Sequence, residues 1–158
     1  SLQNYMVEGT SMMPNIGDSD YLLVNKISYL ELDNLFTSDG LRLNSEDPSR
    51  GDIVIFEQNN SAGRHLIKRV IGVPGDSVSI KSGKVYVNEK IVEENYSIYS
   101  DNSNFHKLLV GDGNFFLLGD NRPISQDSRS WGMISKKQII GKAWFRYWPI
   151  SNIGLVKH

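Results

Sequence analysis

A lysine lies inside a stretch of aliphatic residues that otherwise has the pattern of a buried strand. Residues 66–73 hold five aliphatic side chains around Lys68, and a Pro-Gly-Asp sequence follows at 74–76. Such a run, bounded by turn residues, predicts a strand that ends in a turn. Burial disfavours the charged form of lysine and can lower its pKa by several units, which produces an amine able to accept a proton. The alternative is an edge strand from which Lys68 extends its ammonium into water.

Short apolar segments separated by turn residues recur along the chain and predict a mostly β protein. We expect short strands in antiparallel sheets with little helix. The predicted strands cover residues 4–8, 21–24, 53–56, 66–73, 77–81, 84–88, 115–118 and 139–148. Ser82 and Gly83 join two of them in a two-residue hairpin, and residues 135–138 are predicted to form a single helical turn.

The length of 158 residues fits one domain with a core of its own. Two polar stretches, 28–49 and 89–114, are predicted to be loop-rich insertions in that domain. The second of them is expected to contain a short strand near residues 108–110. No apolar run reaches the ~18 residues that a membrane-spanning helix needs.

Composition excludes several classes of function. The net charge is −1 and the sequence has no basic stripe, which argues against nucleic-acid binding. Cysteine is absent, which excludes disulfides and thiolate metal sites. The three histidines, His65, His106 and His158, are far apart and lie in no zinc-type or nucleophile-elbow pattern. We therefore expect neither a metal, nor a cofactor, nor a Ser-His-Asp triad.

Ser11 follows the first predicted strand, at a position where its hydroxyl could be exposed to react. Gly9 and Pro14 flank Ser11, so Ser11 falls on a turn that can present its side chain. Serine is also a common turn residue for purely structural reasons. With a neutral lysine beside it, however, the hydroxyl would become a nucleophile, because the amine can take its proton in place of histidine.

Four segments taken together carry a more specific signal. They are residues 9–14, 50–56, 68–76 and 119–132. In content and order they resemble the conserved boxes of type I signal peptidases, in particular Gram-positive ones. These are membrane-anchored Ser-Lys proteases that remove signal peptides from exported proteins. The resemblance covers most of the chain apart from 28–49 and 89–114.

The resemblance implies a role for each matching residue. Ser11 takes the position of the nucleophile and Lys68 that of the general base, while the Ser125 hydroxyl orients the lysine amine. Three further residues form a buried ion-pair cluster that supports the lysine strand: Arg69, Asp127 and Arg129.

The oxyanion and substrate sites follow from the same resemblance. The backbone N–H of Ser11 is the expected oxyanion donor, and Gly9 stands where some family members have an assisting serine, which leaves the second donor open. Substrate would add as a strand between the strand before Ser11 and the strand before Lys68. Shallow pockets would select small residues such as Ala before the cut. The residues at or near these pockets are Val7, Gly9, Met12, Leu66 and Ile67, which could equally be ordinary core.

The implied setting is the extracellular face of the bacterial cytoplasmic membrane. Exported preproteins with signal peptides are the implied partners, and an N-terminal transmembrane anchor is expected outside this chain. The aromatic residues Trp144, Phe145, Tyr147 and Trp148 would either face the membrane or alternate along a core strand.

Two departures from the family pattern leave an alternative function open. Asn15 replaces the threonine usual after the proline, and residues 28–49 are inserted after the nucleophile box. Such a chain could be an accessory of pilus assembly that binds pilin subunits and cuts few proteins or none. A self-cleaving repressor-type protease of the same Ser-Lys clan is disfavoured, because the sequence has no DNA-binding segment.

Overall fold

The computed structural model describes residues 1–26, 47–58 and 63–158. In this part of the chain twelve strands form two sheets, with one short helix, α1 (Ser128–Trp131), and 3₁₀ turns at Lys136–Gln138 and Ile150–Asn152. The strands are β1 (Leu2–Met6), β2 (Tyr21–Lys26), β3 (Ile53–Glu57), β4 (His65–Gly72), β5 (Ser77–Lys81), β6 (Lys84–Val87), β7 (Lys90–Ile91), β8 (Phe105–Leu109), β9 (Asn114–Leu118), β10 (Ile134–Ser135), β11 (Ile139–Trp148) and β12 (Gly154–Leu155). The mostly β prediction, with antiparallel sheets and little helix, is confirmed.

The larger sheet contains both the strand before Ser11 and the strand that carries Lys68. Its strand order is β1-β2-β11-β3-β4-β9-β10, and β12 pairs with β11. Among the described strands β1 pairs only with β2, and β4 pairs with β9 only from Arg69 onwards. Within the described ranges, one edge of β1 and one edge of residues 65–68 are therefore left without a neighbouring strand.

The smaller sheet has the order β7-β6-β5-β8. Its β5–β6 hairpin confirms the predicted two-residue turn, in which Ser82 (φ 47°) and Gly83 (φ 77°) take the left-handed conformation of a type I′ turn. The sheet packs on the larger one through a shared core that includes Ile71, Val78 and Phe116. There Gly72 leaves room for the neighbouring sheet, since a Cβ on it would lie 2.6 Å from Val78 Cγ2.

Several boundaries differ from the predicted ones. β1 ends at Met6 rather than at residue 8, although Val7 still donates its N–H to the carbonyl of Asp20 (2.8 Å). β8 begins at Phe105, earlier than the strand expected near 108–110. The insertion predicted at 28–49 falls mostly outside the described residues.

Helix α1 was not expected from the sequence. Asp127 caps it by accepting the N–H of Arg129 (3.2 Å). Four residues are too few to show helical periodicity in a sequence. In the ranges that the structure describes, no helix combines the length and the apolar character needed to cross a bilayer.

Candidate active site

The side chains of Ser11 and Lys68 meet, although they are 57 residues apart in the sequence. Lys68 Nζ lies 2.7 Å from Ser11 Oγ and donates a second hydrogen bond to the carbonyl of Ile67 (3.0 Å). Lys68 pairs with Val54 of β3 and is only 4% exposed. The alternative in which Lys68 extends its ammonium into water is therefore wrong.

Burial changes the acidity of this amine. Desolvation lowers the pKa of Lys68 from 10.5 to about 8, against the opposing charges of Asp127 and Asp120. Removing the ammonium from water disfavours the charged form, whereas nearby carboxylates favour it. Near pH 8 about half of the molecules would hold a neutral amine beside the Ser11 hydroxyl.

The turn that carries Ser11 is fixed at both ends. Its C-terminal half closes on the Met12 carbonyl, which accepts the N–H groups of Asn15 (3.1 Å) and Ile16 (3.0 Å). Asn121 holds the other half, because its N–H donates to the Ser11 carbonyl (3.0 Å) and its Nδ2 to the Thr10 carbonyl (3.2 Å). Met12 and Ile16 are buried in the core below.

The backbone N–H groups of Ser11 and of Gly9, the position at which the second oxyanion donor was left open, differ in availability. Gly9 adopts a left-handed φ of 89°, and its N–H donates to Asp18 Oδ1 (2.7 Å). That amide is thus already paired. For the N–H of Ser11 the described part of the chain supplies no acceptor, so it can point at a substrate oxygen.

Ser125 lies beside the pair but does not bind the lysine. A Cβ on Gly119 would be 2.2 Å from Ser125 Oγ and 2.6 Å from the Ser11 carbonyl oxygen, so these groups are close neighbours. The Ser125 hydroxyl is buried and has no hydrogen-bond partner among the described residues. The expected bond from Ser125 to Lys68 is not formed in this structure.

The supporting charges form two separate groups of ion pairs, one around Arg129 and one around Arg69, rather than the single cluster that we expected. Arg129 binds Asp127 (Nε–Oδ1, 2.9 Å) and extends to Asp101 (2.8 Å). Arg69 instead grips Asp120 with Nε and Nη2, both at 2.8 Å. Asp120 lies two residues beyond Leu118, the partner of Arg69 in β9, so its carboxylate falls on the side of the guanidinium.

Asp120 and Asp101 are the supporting residues that sequence reasoning missed. Asp120 belongs to segment 119–132, which resembles a conserved box of the family, so the sequence could have indicated its role. Asp101 lies in the stretch predicted to be loop, where no pattern marks it.

A small pocket of about 50 Å³ opens beside Ser11 and Lys68. Val7, Leu66 and Ile67 line it as expected, whereas Met12 does not line it and is buried in the core. Tyr5 and Ile55 also line the pocket and were not predicted. His65 contributes too, but its ring packs against Tyr5 (centroids 5.4 Å apart). No set of three His, Cys, Asp or Glu suited to a metal occurs in the described ranges.

The chain is similar to known proteins over most of its length. The family model "Signal peptidase, peptidase S26" matches residues 1–148. The chain is 36% identical to the probable signal peptidase I-2 of Synechocystis, covering 95% of this chain and 65% of that protein. It is 34% identical to signal peptidase IB of Staphylococcus aureus, covering 94% of this chain and 78% of that one.

A solved structure is also similar. The crystal structure of signal peptidase I from Enterococcus faecalis matches with a TM-score of 0.52 and 30% identity, over 61% of this chain and 97% of that one. The chain belongs to the signal peptidase family, peptidase S26, and the resemblance seen in the sequence is confirmed. It spans about two thirds of the length of the Synechocystis relative.

Proposed function

We propose that this chain is a serine endopeptidase that removes signal peptides from exported proteins, with Ser11 as nucleophile and Lys68 as general base. The observation that carries the proposal is the 2.7 Å contact between Ser11 Oγ and a buried Lys68 Nζ. A serine hydroxyl is a weak nucleophile until a base takes its proton. A lysine with a pKa near 8 is close enough to the working pH to do so.

The reaction would use the same two groups twice. Neutral Lys68 takes the proton of Ser11, and Oγ attacks the scissile carbonyl while the Ser11 N–H stabilises the oxyanion. Protonated Lys68 then gives its proton to the leaving amine, which leaves an acyl-enzyme on Ser11. Neutral Lys68 next takes a proton from water as the water oxygen attacks the acyl carbonyl. The Lys68 ammonium then returns that proton to Ser11 Oγ as the ester bond breaks, which releases the acyl product and restores both groups.

The two open strand edges support an extended substrate. A peptide laid between β1 and residues 65–68 of β4 can use main-chain hydrogen bonds for affinity and side-chain pockets for selection. The pocket of about 50 Å³ accommodates side chains of the size of alanine. Small residues before the cut are the proposed requirement, as at the A-x-A-like end of a signal peptide.

The exposed apolar side chains support work at a membrane. Most large apolar residues exposed in the described part of the chain lie on β1, β2, β11 and the segment after β11. They are Leu2, Met6, Tyr21, Trp144, Trp148, Ile150, Ile153 and Leu155, which we name the apolar rim. Tryptophan and tyrosine favour the membrane interface, and neighbouring aliphatic side chains can enter the acyl boundary below it. We place the enzyme at the outer face of the cytoplasmic membrane, with exported preproteins as substrates.

A peptide that spans a signal-peptide cleavage site tests the proposal directly. In detergent micelles the chain should cut it after the small residue, as read by mass spectrometry, and added chelator should change nothing. Ser11→Ala and Lys68→Ala should each abolish cleavage. Two matched controls, Ser151→Ala and Lys107→Ala, change exposed residues and should cut normally.

The same assay distinguishes the proposed peptidase from the alternative, an accessory of pilus assembly. A wild-type chain that binds the peptide without cutting it would favour an accessory of pilus assembly. No observation in the structure favours that role. Cleavage that survives in both the Ser11 and Lys68 variants would refute the proposed pair.

A further inference from the structure

The side chain of Asn15 joins parts of the site that are far apart in the sequence. Its Nδ2 donates to Asp120 Oδ2 (2.7 Å) and to the carbonyl of Ser97 (2.6 Å). An amide nitrogen has two hydrogens, so both are used. The backbone carbonyl of Asn15 meanwhile accepts a hydrogen bond from Arg146 Nη1 (2.6 Å).

Asp120 connects Asn15 to β4, the strand that carries Lys68. It is fully buried, and both of its carboxylate oxygens are bound by Arg69, which directly follows Lys68 in β4. Strand pairing to Ile53 and Leu118 fixes Arg69. The position of Asp120 relative to Lys68 is thus fixed by Arg69.

On the other side, Asn15 belongs to the turn of the nucleophile. Its own N–H closes that turn on the Met12 carbonyl (3.1 Å), one residue after Ser11. A closed circuit results, which runs from Ser11 through Asn15, Asp120 and Arg69 to Lys68, and back across the 2.7 Å gap to Ser11 Oγ.

From this circuit we propose that Asn15 is a positioning residue, whose side-chain amide sets the separation between Ser11 Oγ and Lys68 Nζ by tying the nucleophile turn to Asp120. The inference rests on the proposed function, because it concerns the same reacting atoms. It assigns Asn15 no contact with substrate. A misplacement of reacting groups by about 1 Å can cost about a hundredfold in rate.

Two substitutions of equal shape test this role. Asn15→Thr replaces the amide donor with one hydroxyl donor, while Asn15→Val has the shape of threonine and no donor. Asn15 does not have a positive φ, so both β-branched residues fit its backbone. We expect kcat to fall by about 10- to 100-fold in the valine variant with KM nearly unchanged, and the threonine variant to recover most of the loss.

Controls separate positioning from damage to the fold. Asn102, which is exposed, takes the same pair of substitutions and should show no difference between them. All assays run well below the thermal midpoint of each variant, which is measured in parallel. Equal kcat for the threonine and valine variants of Asn15 would overturn the proposal.

A second readout does not depend on activity. Crystal structures of both variants should retain a Ser11 Oγ–Lys68 Nζ hydrogen bond with threonine and lose it with valine. An unchanged separation in the valine variant would overturn the positioning role even if the rate fell. A wild-type chain without peptidase activity would instead count against the proposed function, and the distances would still decide the role of Asn15.

Discussion

Burial of the Lys68 ammonium destabilises the folded protein, and the proposed role of Lys68 as a base requires this burial. The pKa falls from 10.5 to about 8 on folding because burial disfavours the ammonium. Between these two values the unfolded chain binds more protons than the folded one, so the free energy of unfolding rises with pH there. The full cost, about 3 kcal/mol as an upper bound, is present below pH 8 and disappears above about pH 10.5.

Lys68→Met should therefore stabilise the protein while it abolishes activity. Methionine keeps the length of the side chain without its charge, although Ser11 and Ile67 lose a hydrogen-bond donor. We expect a net gain of about 1–2 kcal/mol at pH 7, measured by urea unfolding, and a net loss at pH 10.5, because the cost of burying the ammonium has gone there while the lost hydrogen bonds remain. A variant less stable than wild type at pH 7 would show that the amine is not strained by burial. Lys107→Met, at an exposed lysine, is the matched control.

Sequence reasoning at the residue scale succeeded where chemistry depends on residue type and failed where it depends on partners. Ser11 and Lys68 stand out by their settings in the sequence, and the structure brings them together. The partner of Arg69 did not follow, because Asp120 and Asp127 lie in the same segment and only the strand register separates them. The predicted role of Ser125 stays a prediction, although its hydroxyl makes no hydrogen bond within residues 1–26, 47–58 and 63–158.

At the scale of elements, the turn after β9 packs closely against the turn that carries Ser11. Gly119 permits it, because a Cβ there would meet Ser125 Oγ at 2.2 Å and the Ser11 carbonyl oxygen at 2.6 Å. The second atom belongs to the backbone and cannot rotate away. Any side chain at this position must push the two turns apart.

Gly119→Ala should consequently separate the reacting groups. We expect kcat to fall by about a hundredfold and the free energy of unfolding to fall by about 1–3 kcal/mol, measured by steady-state kinetics and urea unfolding. Gly111→Ala serves as control, because its Cβ would meet only Asn114 Nδ2, at 3.4 Å. Normal activity in the Gly119 variant would contradict the close approach of the two turns.

Elements were predictable where a local pattern specifies them. The Ser82-Gly83 turn and the ten-residue strand β11 follow from turn chemistry and from a long apolar run. Strand β8 was harder, because its alternation is interrupted by His106 and Lys107 and its pairing with β5 contains a register shift. Such pairing depends on distant residues, which a single local stretch does not encode.

At the scale of the whole molecule, the apolar rim distinguishes one face from the rest. Trp144 and Trp148 are 46% and 49% exposed, so the alternative in which they fill a core strand is wrong for these two side chains. The order of strands in the sheet brings β1, β2 and β11 side by side. That adjacency, which collects the rim from distant segments, could not be obtained from composition or periodicity.

We expect the rim to carry membrane binding. A double variant, Trp148→Ser with Ile150→Ser, should weaken binding to phospholipid vesicles at least tenfold, since each large apolar side chain contributes about 1.5–3 kcal/mol on burial. Cosedimentation measures the change. Ile91→Ser with Leu109→Ser removes two exposed apolar residues of the smaller sheet and should leave binding intact. Equal loss in both double variants would contradict a specific membrane face.

The central claim is that a buried, neutral lysine activates the serine, and the pH dependence of kcat/KM tests it most directly. The rate should rise along a single acid limb with a midpoint near 8, because the pKa of Lys68 is lowered to about 8 and only the free amine accepts the proton of Ser11. A midpoint near the ordinary lysine value of about 10.4, or one near the histidine value of about 6.5, would contradict the account.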